Sequence, residues 1–489
     1  MFLNNNFRSS RASNFYDVHD PATNYVITRT PQSTTQELEE AVKSAAEAFK
    51  SWRTTSLLHR QQFMFRFVAL VRENWDRLAS VTTLEQGKTL GDARGDVLRG
   101  LQVAEQACGI TTQLSGKVLQ VSKDMETRSY RIPLGVVTSI CPFNFPAMIP
   151  LWSIANAIVT GNTLILKPSE RTPGAALVLA ELAKQAGLPT GVLSIVHGGV
   201  PTVDFILDHS EIKAISFIGG NKAGEYIYAR GSANGKRIQA NLGAKNHATL
   251  LPDADASHAL GAISGASFGA AVGNAKDWLT EIVDRARQLT VSGGFETGTD
   301  IGPVISRDAQ KRIEDLIQST QDEGATILVD GRGYKPPGEQ FKDGYFVGPT
   351  VITNVRPEMQ CYKEEIFGPV LIHIDPTLTP DLDSAINFIN ANPYGNGTAI
   401  FTSSGVNATY FQDQIEAGTV GVNVPIPVPL PMLSFTGNKK SIVGGGGRYF
   451  LGEAGLDFYT QTKTVTSFWR RPTKEVQKDS KGVEMPVHT

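Results

Sequence analysis

Cysteine is scarce in this chain of 489 residues, where only Cys108, Cys141 and Cys361 occur. Their odd number and wide separation argue against a disulfide framework and a zinc site, and are typical of a protein that folds in a reducing compartment. We predict no metal site. No cysteine occurs between residues 142 and 360, so the long middle of the chain lacks a thiol nucleophile.

An excess of charge is also lacking, since 46 Lys and Arg face 48 Asp and Glu, giving a formal charge of −2. Such a chain has no basic surface for nucleic acid or for an anionic membrane, so we expect neither kind of partner. The composition, 41% hydrophobic and 19% charged, is that of an ordinary globular protein. The length predicts two or three domains.

A membrane-spanning helix is not predicted. The uncharged run from Ile132 to Leu166 contains prolines and asparagines in a mixture that is rare in such a helix. It favours a buried strand, a turn, a helix and a second strand. At the N-terminus, Met1–Tyr16 carries Arg8 and Arg11 and no acid, which is weakly like a mitochondrial transit peptide. A first β-strand and turn is the favoured interpretation of this segment.

Alternation of helices and strands predicts the fold class. Thr34 and Glu37 form a capping-box pattern ahead of apolar residues at helical spacing, so Thr35–Trp52 is predicted as a helix. Further helices are predicted over His59–Glu85 and Gly91–Gly109. Short apolar runs then alternate with helices, which indicates an α/β fold with a parallel sheet, followed by a second α/β unit.

Three short motifs suggest functional sites, two of them for a nucleotide, although each has a simpler interpretation. Gly219 and Gly220 separate a strand from a helix, where glycines admit a phosphate to the helix N-terminus, but a tight turn also explains them. Lys167 and Glu170, at the end of a strand, suit the two hydroxyls of a ribose or form a solvated charge pair. Asn144 can donate to a developing oxyanion or simply form a turn.

Longer motifs, taken in order, are far more specific. They read Cys141-Pro-Phe-Asn-Phe-Pro146, Lys167-Pro-Ser-Glu170, Phe217-Ile-Gly-Gly220, Asn241-Leu-Gly-Ala-Lys-Asn-His247, Glu364-Glu-Ile-Phe-Gly-Pro369 and Gly421-Val-Asn-Val-Pro-Ile-Pro-Val-Pro-Leu-Pro-Met432. From about Asn24 to Trp469 the chain resembles the aldehyde dehydrogenase superfamily, and within it the branch that transfers the acyl group to coenzyme A. The resemblance implies NAD-dependent, CoA-acylating oxidation of methylmalonate or malonate semialdehyde to propionyl-CoA or acetyl-CoA.

The resemblance also implies roles for single residues. Asn144 is the implied catalytic residue, as the amide of an oxyanion hole, and Arg99 is implied to bind the substrate carboxylate. A larger group is implied to bind NAD: Cys141, Phe143, Lys167, Glu170, Arg171, Gly219, Gly220, Glu365 and Phe367. The family often has Ser where this chain has Gly220, so a hydroxyl contact is lost.

Two departures from the family pattern bear on the chemistry. Asn241 stands where hydrolytic relatives have the Glu that activates water. An amide cannot act as that base, which supports acyl transfer to coenzyme A. The block that carries the catalytic cysteine is missing, because Ala271 runs directly into Val272. Rescue by Cys141, Cys361 or Cys108 is the less favoured alternative.

The family architecture implies an NAD-binding domain at 1–118 and 140–247, a catalytic domain at 248–435, and an oligomerisation arm at 119–139 and 455–470. A disordered tail is predicted at 471–489. The resemblance implies a homo-oligomer, usually a tetramer, in the mitochondrion, with the cytoplasm as the alternative. Two functions stay open. One is the acylating dehydrogenase, and the other is a catalytically inactive NAD-binding relative or a splice or gene-model variant.

Overall fold

The computed structural model of the chain describes residues 1–266, 272–273, 278–444 and 448–469. The predicted disordered tail at 471–489 lies outside the described residues. The elements up to residue 250 are β1 (Phe2–Leu3), β2 (Asn6–Phe7), β3 (Phe15–His19), β4 (Val26–Pro31), α1 (Thr35–Trp52), α2 (Leu57–Glu73), α3 (Trp75–Gln86), α4 (Leu90–Ala107), α5 (Ile110–Gln113), β5 (Lys117–Ser122), β6 (Met125–Pro133), β7 (Val136–Ile140), α6 (Met148–Val159), β8 (Thr163–Lys167), α7 (Gly174–Gln185), β9 (Leu193–Ile195), α8 (Val200–Asp208), β10 (Ile212–Ile218), α9 (Asn221–Ala233), β11 (Arg237–Asn241) and β12 (His247–Leu250).

The remaining elements begin with a second α/β unit and end with an extended strand. They are α10 (Ala256–Ala266), β13 (Val272–Gly273), α11 (Leu279–Gln288), α12 (Arg307–Asp322), β14 (Thr326–Val329), β15 (Thr350–Val355), α13 (Gln360–Lys363), β16 (Val370–Ile374), α14 (Leu382–Ala391), β17 (Tyr394–Gly395), β18 (Gly397–Phe401), α15 (Gly405–Gln414), β19 (Thr419–Val422), β20 (Phe435–Thr436), β21 (Asn438–Lys439), β22 (Ile442–Gly444), β23 (Arg448–Tyr449), α16 (Gly452–Tyr459) and β24 (Thr460–Phe468), with 3₁₀ turns at Glu339–Phe341 and Pro376–Leu378.

The largest sheet has eight strands in the order β2-β1-β9-β8-β7-β10-β11-β22. Strands β9 to β11 in this order are parallel, as predicted, whereas β1 and β22 add to its two sides in antiparallel fashion. The uncharged run from Ile132 to Leu166 supplies β7, α6 and most of β8, all buried, which confirms the strand-helix-strand prediction. No helix among the described residues is long and apolar enough to cross a membrane.

The N-terminal predictions are mostly confirmed. Residues Phe2–Leu3 and Asn6–Phe7 form a small hairpin at the side of the large sheet, which confirms the strand-and-turn interpretation. Helix α1 spans Thr35–Trp52 as predicted. Its capping box is complete, because the Glu37 N–H donates to Thr34 Oγ1 at 3.2 Å and the Thr34 N–H donates to Glu37 Oε2 at 2.9 Å.

The prediction of one helix over His59–Glu85 is wrong, because the chain leaves the helical conformation at Asn74. The Asn74 side chain donates to the Leu70 carbonyl oxygen at 2.9 Å, and α3 then begins at Trp75. Asparagine competes for backbone groups in this way, so it favours helix ends over helix interiors. Apolar periodicity continues across the break and therefore could not reveal it.

The arm is a three-stranded antiparallel sheet in the order β24-β6-β5. Apolar and polar residues alternate over Asp457–Trp469, a pattern that predicts an extended segment. This prediction is wrong for the first three residues, which end α16. Residues 136–139, which fall within the predicted arm segment 119–139, lie in β7 of the large sheet. Their unbroken burial is typical of a central parallel strand, whereas the arm strands are largely exposed.

The second α/β unit contains a four-stranded sheet, β13-β12-β18-β19, and a three-stranded sheet, β14-β15-β16. Both sheets contribute to one hydrophobic cluster, in which Leu250 and Phe401 of the first accompany Val351 and Leu371 of the second. Helix α12 packs against α13 and β14. This packing positions the loop that follows α13, and that loop lines a cleft.

Candidate active site

A cleft of about 480 Å³ lies between the turn after α3, the segment after β11 and the loop before β16. Its lining includes Lys88, Lys245, Asn246, Glu365 and Phe367. The predicted NAD-binding residues Glu365 and Phe367 therefore share this cleft with two lysines. A concave site that combines apolar and charged side chains in this way is the usual setting for a ligand.

The main chain of Asn144, the predicted oxyanion-hole residue, is held by the ion pair of Lys88 and Asp96. Lys88 Nζ donates to the Asn144 main-chain oxygen at 2.7 Å and lies 3.0 Å from Asp96 Oδ2. Asp96 is fully buried and also accepts from the Met148 N–H at 2.7 Å. Asn144 Oδ1 is buried and has no hydrogen-bond partner among the described residues.

Phe143 and Phe367 meet at this site, with ring centroids 5.7 Å apart and planes at 70°. Phe367 has φ +59° and is half-exposed. The loop that carries it is fixed by Arg312, whose Nη2 donates to the Glu365 and Ile366 carbonyl oxygens at 2.9 Å each. A left-handed aromatic residue held by its surroundings is typical of a functional loop.

Lys167 and Glu170 adjoin each other at the end of β8, as predicted. Lys167 is buried, and its Nζ donates to the Pro168 and Gly198 carbonyl oxygens at 2.9 Å each. Its Nζ lies 3.8 Å from Glu170 Oε2. Burial lowers the pKa of Lys167, an effect that the Glu170 carboxylate opposes. Arg171 is exposed beside them. The alternative of a solvated pair is therefore wrong for the lysine, which is an oriented and buried cation.

Gly219 and Gly220 form the turn between β10 and α9. The Gly219 N–H donates to the Asn241 carbonyl oxygen at 3.1 Å, and Gly220 is the N-cap of α9. A Cβ atom on Gly220 would meet nothing within 4 Å, so open space lies in front of the helix N-terminus. Free N–H groups at such a terminus favour an anion, and the space would also admit the serine common in the family.

Asn241 is the last residue of β11, and Glu365 lies in the loop that follows α13. Asn241 is buried, and its Nδ2 donates to Asn396 Oδ1 at 3.2 Å, so an amide faces an amide where a water-activating carboxylate would be needed. Glu365 Oε2 accepts from the Ala244 N–H at 3.4 Å. Burial raises the pKa of Glu365, with the Ala244 N–H and the neighbouring Lys245 cation opposing that rise.

Arg99 stands apart from this group on α4, one turn after Asp96. It is exposed, its carbonyl oxygen accepts from Trp152 Nε1 at 3.5 Å, and it does not line the cleft around Glu365. Trp152 in turn contacts Phe435 and Phe450, at centroid distances of 6.1 and 6.3 Å. The structure therefore puts Arg99 in the middle of α4, beside an aromatic group that includes Trp152.

None of the three cysteines is poised as a nucleophile. All three are buried, and burial raises the pKa of Cys141 to about 12 and the pKa values of Cys108 and Cys361 to about 11. Cys141 Sγ lies 3.4 Å from Ser139 Oγ, inside the large sheet. A buried neutral thiol reacts slowly, so the structure favours the sequence-based view that these residues do not replace the missing one.

Sequence reasoning missed several residues of the site. Lys88 and Asp96, eight positions apart, gave no motif of their own, although a buried acid within the apolar face of α4 is a usable signal. Lys245 lies inside a quoted motif, but its role was not predicted. Its Nζ donates to the Cys361 and Glu364 carbonyl oxygens at 2.6 and 2.8 Å, and burial lowers its pKa to about 8.

Comparison with known proteins identifies the family of this chain. The sequence model of the aldehyde dehydrogenase family matches residues 7–465. The mitochondrial acylating methylmalonate-semialdehyde/malonate-semialdehyde dehydrogenases of Mus musculus and Homo sapiens are 51% and 50% identical over 500 positions, which cover 100% of this chain and 92% of each relative. The difference between 500 positions and the 489 residues of this chain leaves 11 positions at which this chain has no residue.

Solved structures agree with the sequence relatives. A Sinorhizobium meliloti protein assigned as a methylmalonate-semialdehyde dehydrogenase, in complex with NAD, is 37% identical, with a TM-score of 0.93 and coverage of 97% of this chain and 98% of its own. The methylmalonate-semialdehyde dehydrogenase of Oceanimonas doudoroffii is 40% identical, with a TM-score of 0.92 and coverage of 96% and 98%. With its motifs, its cleft and its full-length similarity to these proteins, the chain belongs to the aldehyde dehydrogenase family.

Proposed function

We propose that this chain is an NAD-dependent, CoA-acylating dehydrogenase of methylmalonate and malonate semialdehyde, with propionyl-CoA and acetyl-CoA as products after the substrate carboxylate leaves as CO₂. The observation that carries the proposal is Asn241, a buried amide hydrogen-bonded to Asn396 where hydrolysis would need a carboxylate base. Without that base an acyl group passes to a thiol rather than to water. The names of the full-length relatives support the same reaction.

The predicted site residues have chemically suitable surroundings for NAD. The cation of Lys167 and the carboxylate of Glu170 suit the adenosine ribose, and the open N-terminus of α9 at Gly220 suits the diphosphate. The facing rings of Phe143 and Phe367 offer an apolar wall for the nicotinamide. When bound, NAD supplies the hydride acceptor of the reaction.

The roles of this chain's own groups follow from their positions. In the family reaction a cysteine thiolate adds to the aldehyde carbon, a role that the buried Cys108, Cys141 and Cys361 do not suit. The group of this chain that we assign is Asn144, which donates an N–H to the aldehyde oxygen as it becomes negative. The Lys88 and Asp96 pair keeps the Asn144 main chain in place, so the amide is oriented before substrate arrives. Arg99, exposed beside Trp152, offers a guanidinium to the substrate carboxylate.

The proposal is tested by supplying the purified chain with NAD and methylmalonate semialdehyde, with and without CoA. NADH is followed by absorbance and the products by chromatography. Propionyl-CoA, formed only when CoA is present, is the expected product. Formation of the free acid at the same rate without CoA would contradict acyl transfer, because that outcome requires an activated water molecule.

The cysteines favour a second candidate function, that of an NAD-binding relative without catalytic activity. No cysteine occurs between residues 142 and 360, and Cys108, Cys141 and Cys361 are all buried. Such a chain binds NAD but does not form an acyl-enzyme, and loss of a nucleophile typically lowers the rate by orders of magnitude. Calorimetric binding of NAD together with no burst of NADH identifies this candidate. An acyl adduct on Cys141, found by mass spectrometry, would contradict it.

The domain division, oligomer and location are part of the proposal. We propose an NAD-binding and a catalytic domain, as in the family, and assembly through the arm sheet, where Val118, Leu119 and Trp469 are 72%, 66% and 77% exposed. The mitochondrial names of the relatives support a mitochondrial location. Light scattering after size-exclusion chromatography tests the assembly, and a Val118→Asp, Leu119→Asp variant is expected to elute as a smaller species.

A further inference from the structure

A cavity of about 400 Å³ lies in the second α/β unit, and none of the described residues that line it also lines the cleft around Glu365. Its wall is formed by the end of β12 and the three residues after it, by α14 and the segment before it, and by the first turn of α15. The volume falls within the range of about 300–1,000 Å³ that is typical of small-molecule sites. The cavity is therefore large enough for a ligand of its own.

The topology of the four-stranded sheet predicts a ligand site at this place. Its strands are all parallel, and β12 lies next to β18. From β12 the chain continues through α10 to β13, whereas from β18 it continues through α15 to β19, on the opposite side of the sheet. In β18, Ala399 and Phe401 pack with residues of α10, whereas Ile400 packs with residues of α14 and α15, so these helices cover opposite faces. Where the strand order reverses in this way, a crevice forms at the carboxyl ends of the strands, and α/β proteins usually bind ligands there.

Two threonine hydroxyl groups in the cavity wall lack hydrogen-bond partners. Thr249 and Thr379 are 1% and 2% exposed, and the Oγ1 atom of each has no partner among the described residues. Thr249 pairs in register with Ile400, so its side chain lies on the face of the sheet that α14 and α15 cover. A buried hydroxyl group without a partner costs free energy, and a ligand that reaches both oxygens would recover that loss.

The charge of the cavity wall is negative. Asp253 and Asp381 are its charged residues, and no Lys, Arg or His is among the described residues that line it. Asp253 Oδ2 accepts from Thr402 Oγ1 at 2.8 Å. Asp381 Oδ1 accepts from the Ser384 N–H at 2.8 Å, so both carboxylates have neutral hydrogen-bond partners. The N-termini of α14 and α15 each contribute about half a positive charge, which together is less than the two carboxylates carry. The cavity therefore favours a cation.

The rest of the wall determines which kind of cation fits. Apolar side chains form this part: Leu251, Pro252, Leu382 and Ala385. An inorganic ion prefers a shell of oxygen ligands, and no cluster of three or more His, Cys, Asp or Glu that could hold a metal ion occurs in the described part of the chain. An ammonium group on a short aliphatic chain suits both surfaces. Its N–H groups donate to hydroxyl and carboxylate oxygens, while its methylene groups contact the apolar side chains.

We propose that this cavity binds a small organic ammonium ion, namely a primary aliphatic amine in its protonated form. Thr249 and Thr379 accept hydrogen bonds from its nitrogen, and Asp253 and Asp381 supply the negative potential that selects a cation. The site contains no residue assigned to NAD, to the semialdehyde or to acyl transfer. It therefore goes beyond the proposed function and does not depend on it.

The test is a calorimetric titration of the full chain, at neutral pH and constant ionic strength, with butylamine and with butanol as the neutral molecule of similar size. Wild type is expected to bind butylamine at least about tenfold more tightly than butanol, because charge-assisted hydrogen bonds are about twice as strong as neutral ones. Replacing sodium chloride with potassium chloride at the same concentration is expected to leave the affinity for butylamine unchanged.

Variants separate the role of the hydroxyl groups from effects on the fold. Thr249→Val and Thr379→Val each remove an unpaired hydroxyl and keep a side chain of similar shape, so the midpoint of thermal unfolding should rise or stay the same. Each is also expected to weaken butylamine binding about three- to tenfold. Asp381→Asn keeps an acceptor for the Ser384 N–H and lowers the preference for butylamine over butanol. Thr30→Val is the matched control and leaves the affinity unchanged, because Thr30 is equally buried and unpartnered within the described residues but lies on β4, outside the cavity.

Each outcome decides the proposal. Equal affinity for butylamine and butanol, or no binding of butylamine, overturns the ammonium site. Binding that both threonine variants retain at full strength places the ligand elsewhere and overturns the assignment to this cavity. Displacement of butylamine by potassium identifies an inorganic cation as the occupant and also overturns the proposal. A preference for butylamine that the threonine variants weaken and Thr30→Val does not weaken supports it.

Discussion

The large sheet and the second α/β unit differ in how their strands are arranged, since the first forms one sheet of eight strands and the second forms two smaller sheets. In the eight-stranded sheet, β7, β8, β10 and β11 pair in parallel over long registers and share a continuous buried surface. The second unit divides its strands between two smaller sheets that share one hydrophobic cluster. In the four-stranded sheet of the second unit, the strand that pairs with β12 on the side away from β18 consists of Val272 and Gly273. The sequence analysis predicts that the cysteine block is missing at this place in the sequence, so we expect its loss to concern packing as well as chemistry.

The largest expected effect is a difference in stability between these regions. The family resemblance implies that the missing block also carries a core strand. Its loss removes apolar side chains worth about 1.5–3 kcal/mol each, and leaves neighbouring backbone groups unpaired at about 1–3 kcal/mol each. The sum approaches the whole stability of a domain, about 5–15 kcal/mol. We therefore expect protease to cut first within 248–435, and a fragment that retains 1–247 to persist. Equal resistance, with a single cooperative melt, would remove the distinction between the regions.

The next largest effect concerns the ion pair of Lys88 and Asp96 beside Asn144. In Asp96→Asn, Lys88 keeps its charge without a carboxylate partner, although its side chain is only 13% exposed. Such changes cost about 3–5 kcal/mol, which urea unfolding measures. Asp315→Asn breaks the exposed pair with Lys311 and is the control, with an expected change below about 1 kcal/mol. Equal effects of the two variants would show that the Lys88 pair is not structurally distinct.

A smaller effect depends on pH and involves Glu85, which is buried between α3 and α7. Burial raises its pKa to about 7 from 4.5, so the folded chain binds a proton that the unfolded chain has lost. Stability is therefore expected to fall as pH rises from about 4.5 to about 7, by about 2–4 kcal/mol. Glu85→Gln keeps the acceptor for the Gly174 N–H and removes the ionisation. Its stability relative to wild type should rise over this pH interval, and a pH-independent difference would contradict the assignment.

The smallest effect concerns the proposed ribose site. Loss of one hydrogen-bonding group, in Glu170→Ala or Lys167→Ala, is expected to weaken NAD binding by about 1–2 kcal/mol. Calorimetry measures the loss, and Lys311→Gln serves as an unaffected surface control. Unchanged affinity in both variants would remove these residues from the nucleotide site. Absence of NAD binding in the wild type would contradict the proposal as a whole.

Local patterns predicted those elements whose energetics are local. The capping box at Thr34 and Glu37 and the apolar spacing after it define α1 without help from the rest of the chain. The break at Asn74 was not predictable, because apolar spacing is the same on both sides of it. Asp457–Tyr459 alternate like a strand, yet they complete α16, whose residues pack against α6. A pattern of period two over three residues is too short to compete with such packing.

The sequence by itself determined the family, the order of the site motifs and the absence of a cysteine from the long middle of the chain, because these are properties of residue identity along the chain. Only the tertiary structure decided that Lys88 and Asp96 support Asn144, and that Thr249 shares a cavity with Thr379. It also decided that the remaining cysteines are buried. Burial and long-range contacts depend on which segments pack together, and that packing minimises free energy over the whole chain rather than over any one motif.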